Sequence, residues 1–123
     1  MDSTLAHTLA EELLEHFVTA CLGLTLAGRI RDPSLLPPRH RCYLTDRDGN
    51  SRPWAAWRTD RGIVTAYADY DHVQARWMGA HVVHLSWWIG SDVHHEGWWH
   101  CYPRRPREWI KGRGTQTTEP PRS

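Results

Sequence analysis

The sequence predicts a single α+β domain, with an N-terminal amphipathic helix ahead of an antiparallel-rich sheet of about five short strands and one short inserted helix. Three observations predict it. Leu5, Leu9, Leu13, Phe17 and Cys21 recur every fourth residue, and Leu14, Val18 and Leu22 widen the stripe, which is the period of a helix with one apolar face. From Arg41 onward the apolar residues fall in short alternating runs between turn signals such as Asp48-Gly49-Asn50 and Asp60-Arg61-Gly62. Eight tryptophans offset a mean hydropathy of −0.64. Each can bury roughly 150–250 Å², so the chain carries enough apolar surface to fold, unlike a disordered one.

The elements follow in order. A helix is expected from residue 3 to about residue 24, with Ser3 as cap, Glu11, Glu12 and Glu15 along its polar flank, and Gly23 or Gly28 at its end. Residues 29–40 hold Pro33, Pro37 and Pro38 and read as a connector, because proline withholds a backbone donor. Arg41 to Asp46, Trp54 to Thr59 and Ile63 to Asp69 then form a three-strand meander. Asp71 caps a short helix from His72 to Gly79, on which Val73 and Trp77 share a face. His81 to Ile89 is a strand, Gly90 to Gly97 a loop, and Trp98 to Tyr102 a last strand broken by Pro103 and Pro106. The domain spans 1–113, and the polar, proline-containing stretch 114–123 is expected to be a flexible tail.

Composition narrows the function classes. Cys21, Cys42 and Cys101 are odd in number and lack CxxC spacing, which argues against a disulfide framework. No stretch approaches ~18 apolar residues and no leader pattern opens the chain, so a cytoplasmic protein without a membrane partner is expected. Fourteen of the fifteen basic residues are arginine, consistent with a GC-rich bacterial genome. The net charge of +1 is unevenly spread. Residues 1–38 balance to −3, whereas residues 102–113 balance to +4 through Arg104, Arg105, Arg107, Lys111 and Arg113 against Glu108. Such a segment suits phosphate or an acidic partner, although a charge run more usually belongs to solvated surface.

The nine histidines raise the question of zinc, which needs several N or S donors converging in a tetrahedron. Within a strand His81 and His84 have opposite parity and cannot chelate together. A metal site would have to use His94, His95, His100 and Cys101, and neither HExxH nor paired CxxC is present, so no metal or cofactor is expected. Cys101 beside His100 would face the other way in a strand, and GxSxG, SxxK and P-loop patterns are absent. Asp92 and Glu96 flank the histidine pair and could serve acid–base chemistry, a small metal-dependent enzyme using 92–101 being the alternative from that class.

Strand parity makes the tryptophans more informative. Val83, Leu85, Trp87 and Ile89 should point at the core. The opposite sheet face then gathers Trp54 and Arg58, His84 and Trp88, and Trp98, His100 and Tyr102. With Arg104, Arg105 and Arg107 alongside, this surface suits a protein hot spot, and its aromatic rings among cations could also stack on bases. The competing reading has both sheet faces covered, one by each helix, and most tryptophans in the core.

Tyr70-Asp71, Ala80-His81-Val82, Trp87-Trp88, then Trp98, Pro103, Arg105-Pro106 and Glu108-Trp109 through Lys111-Gly112-Arg113-Gly114 form a pattern that resembles uncharacterised small proteins encoded on bacterial integrating conjugative elements. The resemblance runs from the Asp48-Gly49-Asn50 turn onward. It brings no catalytic residues. It implies a mobile-element setting, in which proteins bind nucleic acid or host machinery and some block host defence. The expectation is therefore a non-enzymatic macromolecule-binding protein. A protein partner is favoured over nucleic acid because the total charge is near neutral, and an inhibitor of a host defence system, such as an anti-CRISPR protein, is the nearest alternative.

Overall fold

The structure is a computed structural model that describes residues 3–91, 93–112 and 116–117. Helix α1 spans Ser3–His16 and runs on through one π-helical turn, Phe17–Cys21. It stops at Gly23, whose φ of 69° lies in the left-handed region that only glycine enters at little cost. The strands are β1 (Leu26–Ile30), β2 (Trp54–Thr59), β3 (Gly62–Tyr70), β4 (His81–Ile89), β5 (Val93–Cys101), β6 (Ile110–Lys111) and β7 (Gln116–Thr117). Two short helices interrupt them, α2 (Pro38–Arg41) and α3 (His72–Met78). The strands form one antiparallel sheet in the order β1-β2-β3-β4-β5-β6, and β7 also pairs with β5. The domain is α+β, as its sequence predicts.

Helix α1 covers one face of the sheet. Its stripe of Ala10, Leu13, Leu14, Phe17 and Val18 is buried against Ala55, Val64, Ala66, Ala68, Val83, Leu85 and Trp87. Three of these strand residues are alanines, which lets the helix approach the middle of the sheet closely, while Phe17 lies against Trp87 at 4.6 Å and Trp99 at 5.1 Å. The other face is covered in part by the chain from residue 33 to residue 44. Leu36 joins Ile30 and Ala56 in a second buried cluster, with Leu44, Trp54 and Ile63 at its margin.

Several segments depart from the sequence reading. Leu26–Ile30 is an edge strand, although Gly28 reads as a stop signal. Its pairing with β2 carries a register irregularity between Leu26 and Gly28, a device that discourages further pairing at an edge. Arg41 to Asp46 is not a strand. Pro37 and Pro38 open α2, where a missing N–H costs nothing because first-turn donors have no helical partner. The chain then turns through residues 42–44, and Thr45 makes an isolated bridge to Ser51. Gly90 to Gly97 is not a loop, since β5 begins at Val93 and His94, His95 and Glu96 pair with Trp88, Trp87 and Ser86. Gly90, with φ of 62°, makes the reversal in a short turn and donates its N–H to the Ile63 carbonyl at 2.8 Å.

The chain after β5 also returns to the sheet. Ile110 pairs with His100 and Lys111 with Trp99, and within the stretch expected as a tail Gln116 pairs with Glu96 and Thr117 with His95. Helix α3 lies where the sequence puts it, with Asp71 accepting from the Gln74 N–H at 3.0 Å and Gly79 as its C-cap, but it covers no sheet face and buries no residue. The cap expected at Ser3 involves a side chain outside the described residues. No helix among the described residues is long and apolar enough to cross a membrane.

Candidate functional site

The register collects the expected aromatic face. Trp54 pairs with Tyr67 and Arg58 with Ile63, Thr65 with Trp88, Asp69 with His84, and His84 in turn with Trp98. Paired residues share a face, so Trp54, Arg58, His84, Trp88, Trp98 and His100 all lie on the side away from α1, as parity predicts. Trp57, Trp87 and Trp99 lie on the α1 side. Neither face is wholly covered or wholly bare. Of the eight tryptophans, Trp87 is buried, Trp77 on α3 is 83% exposed, and the other six are partly exposed.

Over β2, β3 and β4 this face is closed by the 33–44 segment, and His40 fastens it. The His40 ring is fully buried, with Nδ1 2.7 Å from the Thr65 hydroxyl and Nε2 2.7 Å from the Gly90 carbonyl. A carbonyl only accepts, so Nε2 carries the proton and Nδ1 accepts from Thr65. The Tyr67 hydroxyl donates to the His40 backbone carbonyl, closing the contact from a third side. Tyr43 stacks on His94 at 4.8 Å and tilts against Tyr67 at 5.6 Å, while Trp88 lies 6.0 Å from the His40 ring and 5.1 Å from that of His94. Burial pushes the pKa values of His40 and His94 below the ordinary imidazole value, because the charged form would lose its hydration.

Toward the Trp98–His100 end of β5 and over β6, no segment among the described residues covers the same face. The His84 ring sits 4.4 Å from that of Trp98, and its Nε2 is 3.2 Å from Glu96. His100 meets Tyr102 edge to face at 5.6 Å, and the Arg104 guanidinium lies 6.0 Å from the Tyr102 ring centroid. Tyr102, Arg104, Arg105, Glu108 and Ile110 line a cavity at this edge, where Ile110 is 49% exposed. Arg105 makes a 3.7 Å ion pair with Glu108, and Arg104 has no ion-pair partner among the described residues. The hydrogen bond from Gly112 N–H to the Trp98 carbonyl, at 2.7 Å, draws the returning chain against β5 and sets Ile110 beside His100.

The nine surface residues expected from sequence therefore divide. Trp98, His100, Tyr102, Arg104 and Arg105 form the open part. Trp88 sits under the covering segment, Trp54 packs at the margin of the second buried cluster, and Arg58 is on β2, two strands beyond β4. Arg107 leaves the group altogether. Its backbone adopts a φ of 67° in the turn after β5, and its guanidinium contacts Glu12 of α1 at 3.2 and 3.3 Å. The Pro103–Pro106 stretch reverses the chain rather than carrying it away from the sheet.

The alternative metal set does not converge. His94 and His100 share the side away from α1 but stand six residues apart along β5, roughly 20 Å, while His95 and Cys101 face α1. No group of three potential ligands occurs among the described residues. Cys101 is buried, and burial raises its thiol pKa, which leaves it a poor nucleophile. Asp92 lies outside the described residues. Sequence reasoning passed over His40, Tyr43 and Ile110. A histidine in a proline-rich connector has no period to betray it, and Pro37-Pro38 shortly before it, a helix-start signal, was the available clue. Comparisons with protein-family models, curated proteins and solved structures find no match to this chain.

Proposed function

We propose that the chain is a non-enzymatic binding module that recognises a protein partner through the open half of its second sheet face, centred on Trp98, His100, Tyr102 and Ile110 with Arg104 and Arg105 at the rim. One observation carries this reading: part-exposed aromatic rings and a half-exposed isoleucine lie together on a hydrogen-bonded sheet, next to an arginine with no ion-pair partner among the described residues. Aromatic and arginine side chains on a rigid platform are the residues that dominate protein hot spots. The rim arginines favour a partner with acidic groups at its edge. In the mobile-element setting that the resemblance implies, a component of a host defence system is a fitting partner. The metal-dependent alternative has less support, because His94 and His95 point to opposite faces.

Capture from bacterial lysate by the immobilised chain tests the reading, with Trp98→Ala and Ile110→Asp run beside the wild type. A protein retained by the wild type after nuclease treatment and lost by both variants is the expected result. Loss on nuclease treatment would transfer the surface to nucleic acid, and equal retention by all three chains would remove it.

A further inference from the structure

At the foot of α3, on the α1 side of the sheet, Tyr70, His72, Arg76, His81 and Pro103 line a cavity distinct from the open aromatic face. Its chemistry is one-sided. No carboxylate lines it among the described residues, although Asp69 and Asp71 flank Tyr70 in sequence. Both acids are committed elsewhere, Asp69 to Arg52 at 3.1 Å and Asp71 to the Gln74 N–H at 3.0 Å. Arg76 has no ion-pair partner among the described residues, and its guanidinium is exposed at the rim.

The remaining donors are oriented. The Tyr70 hydroxyl lies 2.9 Å from His81 Nδ1, and burial holds the phenol and the imidazole in their neutral forms. In the tautomer that carries its proton on Nε2, the Tyr70 hydroxyl donates to Nδ1 and Nε2–H is the donor this cavity offers a ligand. The His72 ring is 4.8 Å from that of Tyr70 and adds further N–H capacity.

We propose that this cavity binds a phosphate group, free or as the monoester of a small molecule, with Arg76 as the ion-pairing fork and His72 and His81 as N–H donors. Guanidinium and imidazole donors without a competing carboxylate match the several acceptor oxygens of a phosphate.

The test is a titration of the full chain with inorganic phosphate and, separately, with adenosine 5′-monophosphate, read by the ring signals of the histidines in NMR. Saturable shifts of His72 and His81, with His16 on α1 unmoved, are expected. Arg76→Gln should weaken the apparent affinity about tenfold, the scale of one lost charge-assisted contact, and Arg104→Gln should leave it unchanged. Tighter binding of the nucleotide identifies a nucleotide phosphate as the source, and equal or weaker binding identifies the free anion. Absence of a saturable shift with both probes up to about 50 mM, or wild-type affinity in Arg76→Gln, overturns the proposal.

Discussion

On the face turned away from α1, Trp88 and Trp98 sit on neighbouring strands with a histidine beside each, yet their surroundings differ. Trp88 lies among His40, Tyr43 and His94, two of which come from the segment laid over it, whereas Trp98 contacts His84 within the sheet and nothing from that segment. The difference lies in what the chain brings back to the sheet. Residues 33–44 return with a histidine that finds a partner for each ring nitrogen, so a polar residue can be buried at low cost. The chain after β5 returns with two strands of two residues each and a run of arginines, which are costly to bury without partners. A closed half and an open half result from similar strands.

The largest expected effect lies in the closed half. His40→Ala removes a fully buried ring and leaves the Thr65 hydroxyl and the Gly90 carbonyl unpaired, so chemical denaturation should show a loss of about 3 kcal/mol or more. A loss under about 1 kcal/mol would mean that the segment does not hold the face shut. In the open half the expectation reverses. Trp98→Ala should cost roughly 2 kcal/mol or more of partner binding, and less stability than Trp87→Ala, whose ring is buried under α1. Equal destabilisation by the two variants would make Trp98 a core residue and erase the distinction.

Acid should act on the closed half first. His40 and His94 have folded-state pKa values below the ordinary 6.5, chiefly through burial, so below that pH the unfolded chain binds protons that the folded chain resists. Stability is then complete above about pH 6.5 and falls as the pH drops toward the folded-state values. Denaturation midpoints at pH 7.5 and 5.5 should show this decline, and His40→Gln should flatten it. A pH-independent midpoint would contradict the buried, neutral state of the ring. The smallest effect belongs to Arg107, whose contact with Glu12 is between exposed side chains. Arg107→Ala should change stability by under about 1 kcal/mol, and a thermal melt displaced by many degrees would give that contact an unexpected structural role.

Much of the fold was legible in the residues. The fourfold spacing from Leu5 to Cys21 located α1, the alternation of Val83, Leu85, Trp87 and Ile89 oriented β4, and parity alone separated Trp54, Trp88 and Trp98 from Trp57, Trp87 and Trp99. These succeed because a side chain's direction is tied to its position within a helix or strand. The site was legible only in part. Parity names the residues that share a face and says nothing about what lies over them, which is why Trp54 and Trp88 stood with Trp98 in one expected surface.

The sequence by itself determined the class of the domain, the residues of α1 that enter the core, the limits of β4 and the face on which each side chain of β2, β4 and the Trp98–Cys101 end of β5 lies, because all of these follow from local period and local turn chemistry. Only the tertiary structure decided that Leu26–Ile30 and Ile110–Lys111 join the sheet, that Arg107 turns to Glu12, and that His40 closes one half of a face while the other stays open. Those outcomes depend on contacts between residues far apart in the chain, His40 with Gly90 and Glu12 with Arg107 among them. Short edge strands and irregular covering segments have no period of their own, and they form where the rest of the fold supplies hydrogen-bond partners and apolar surface.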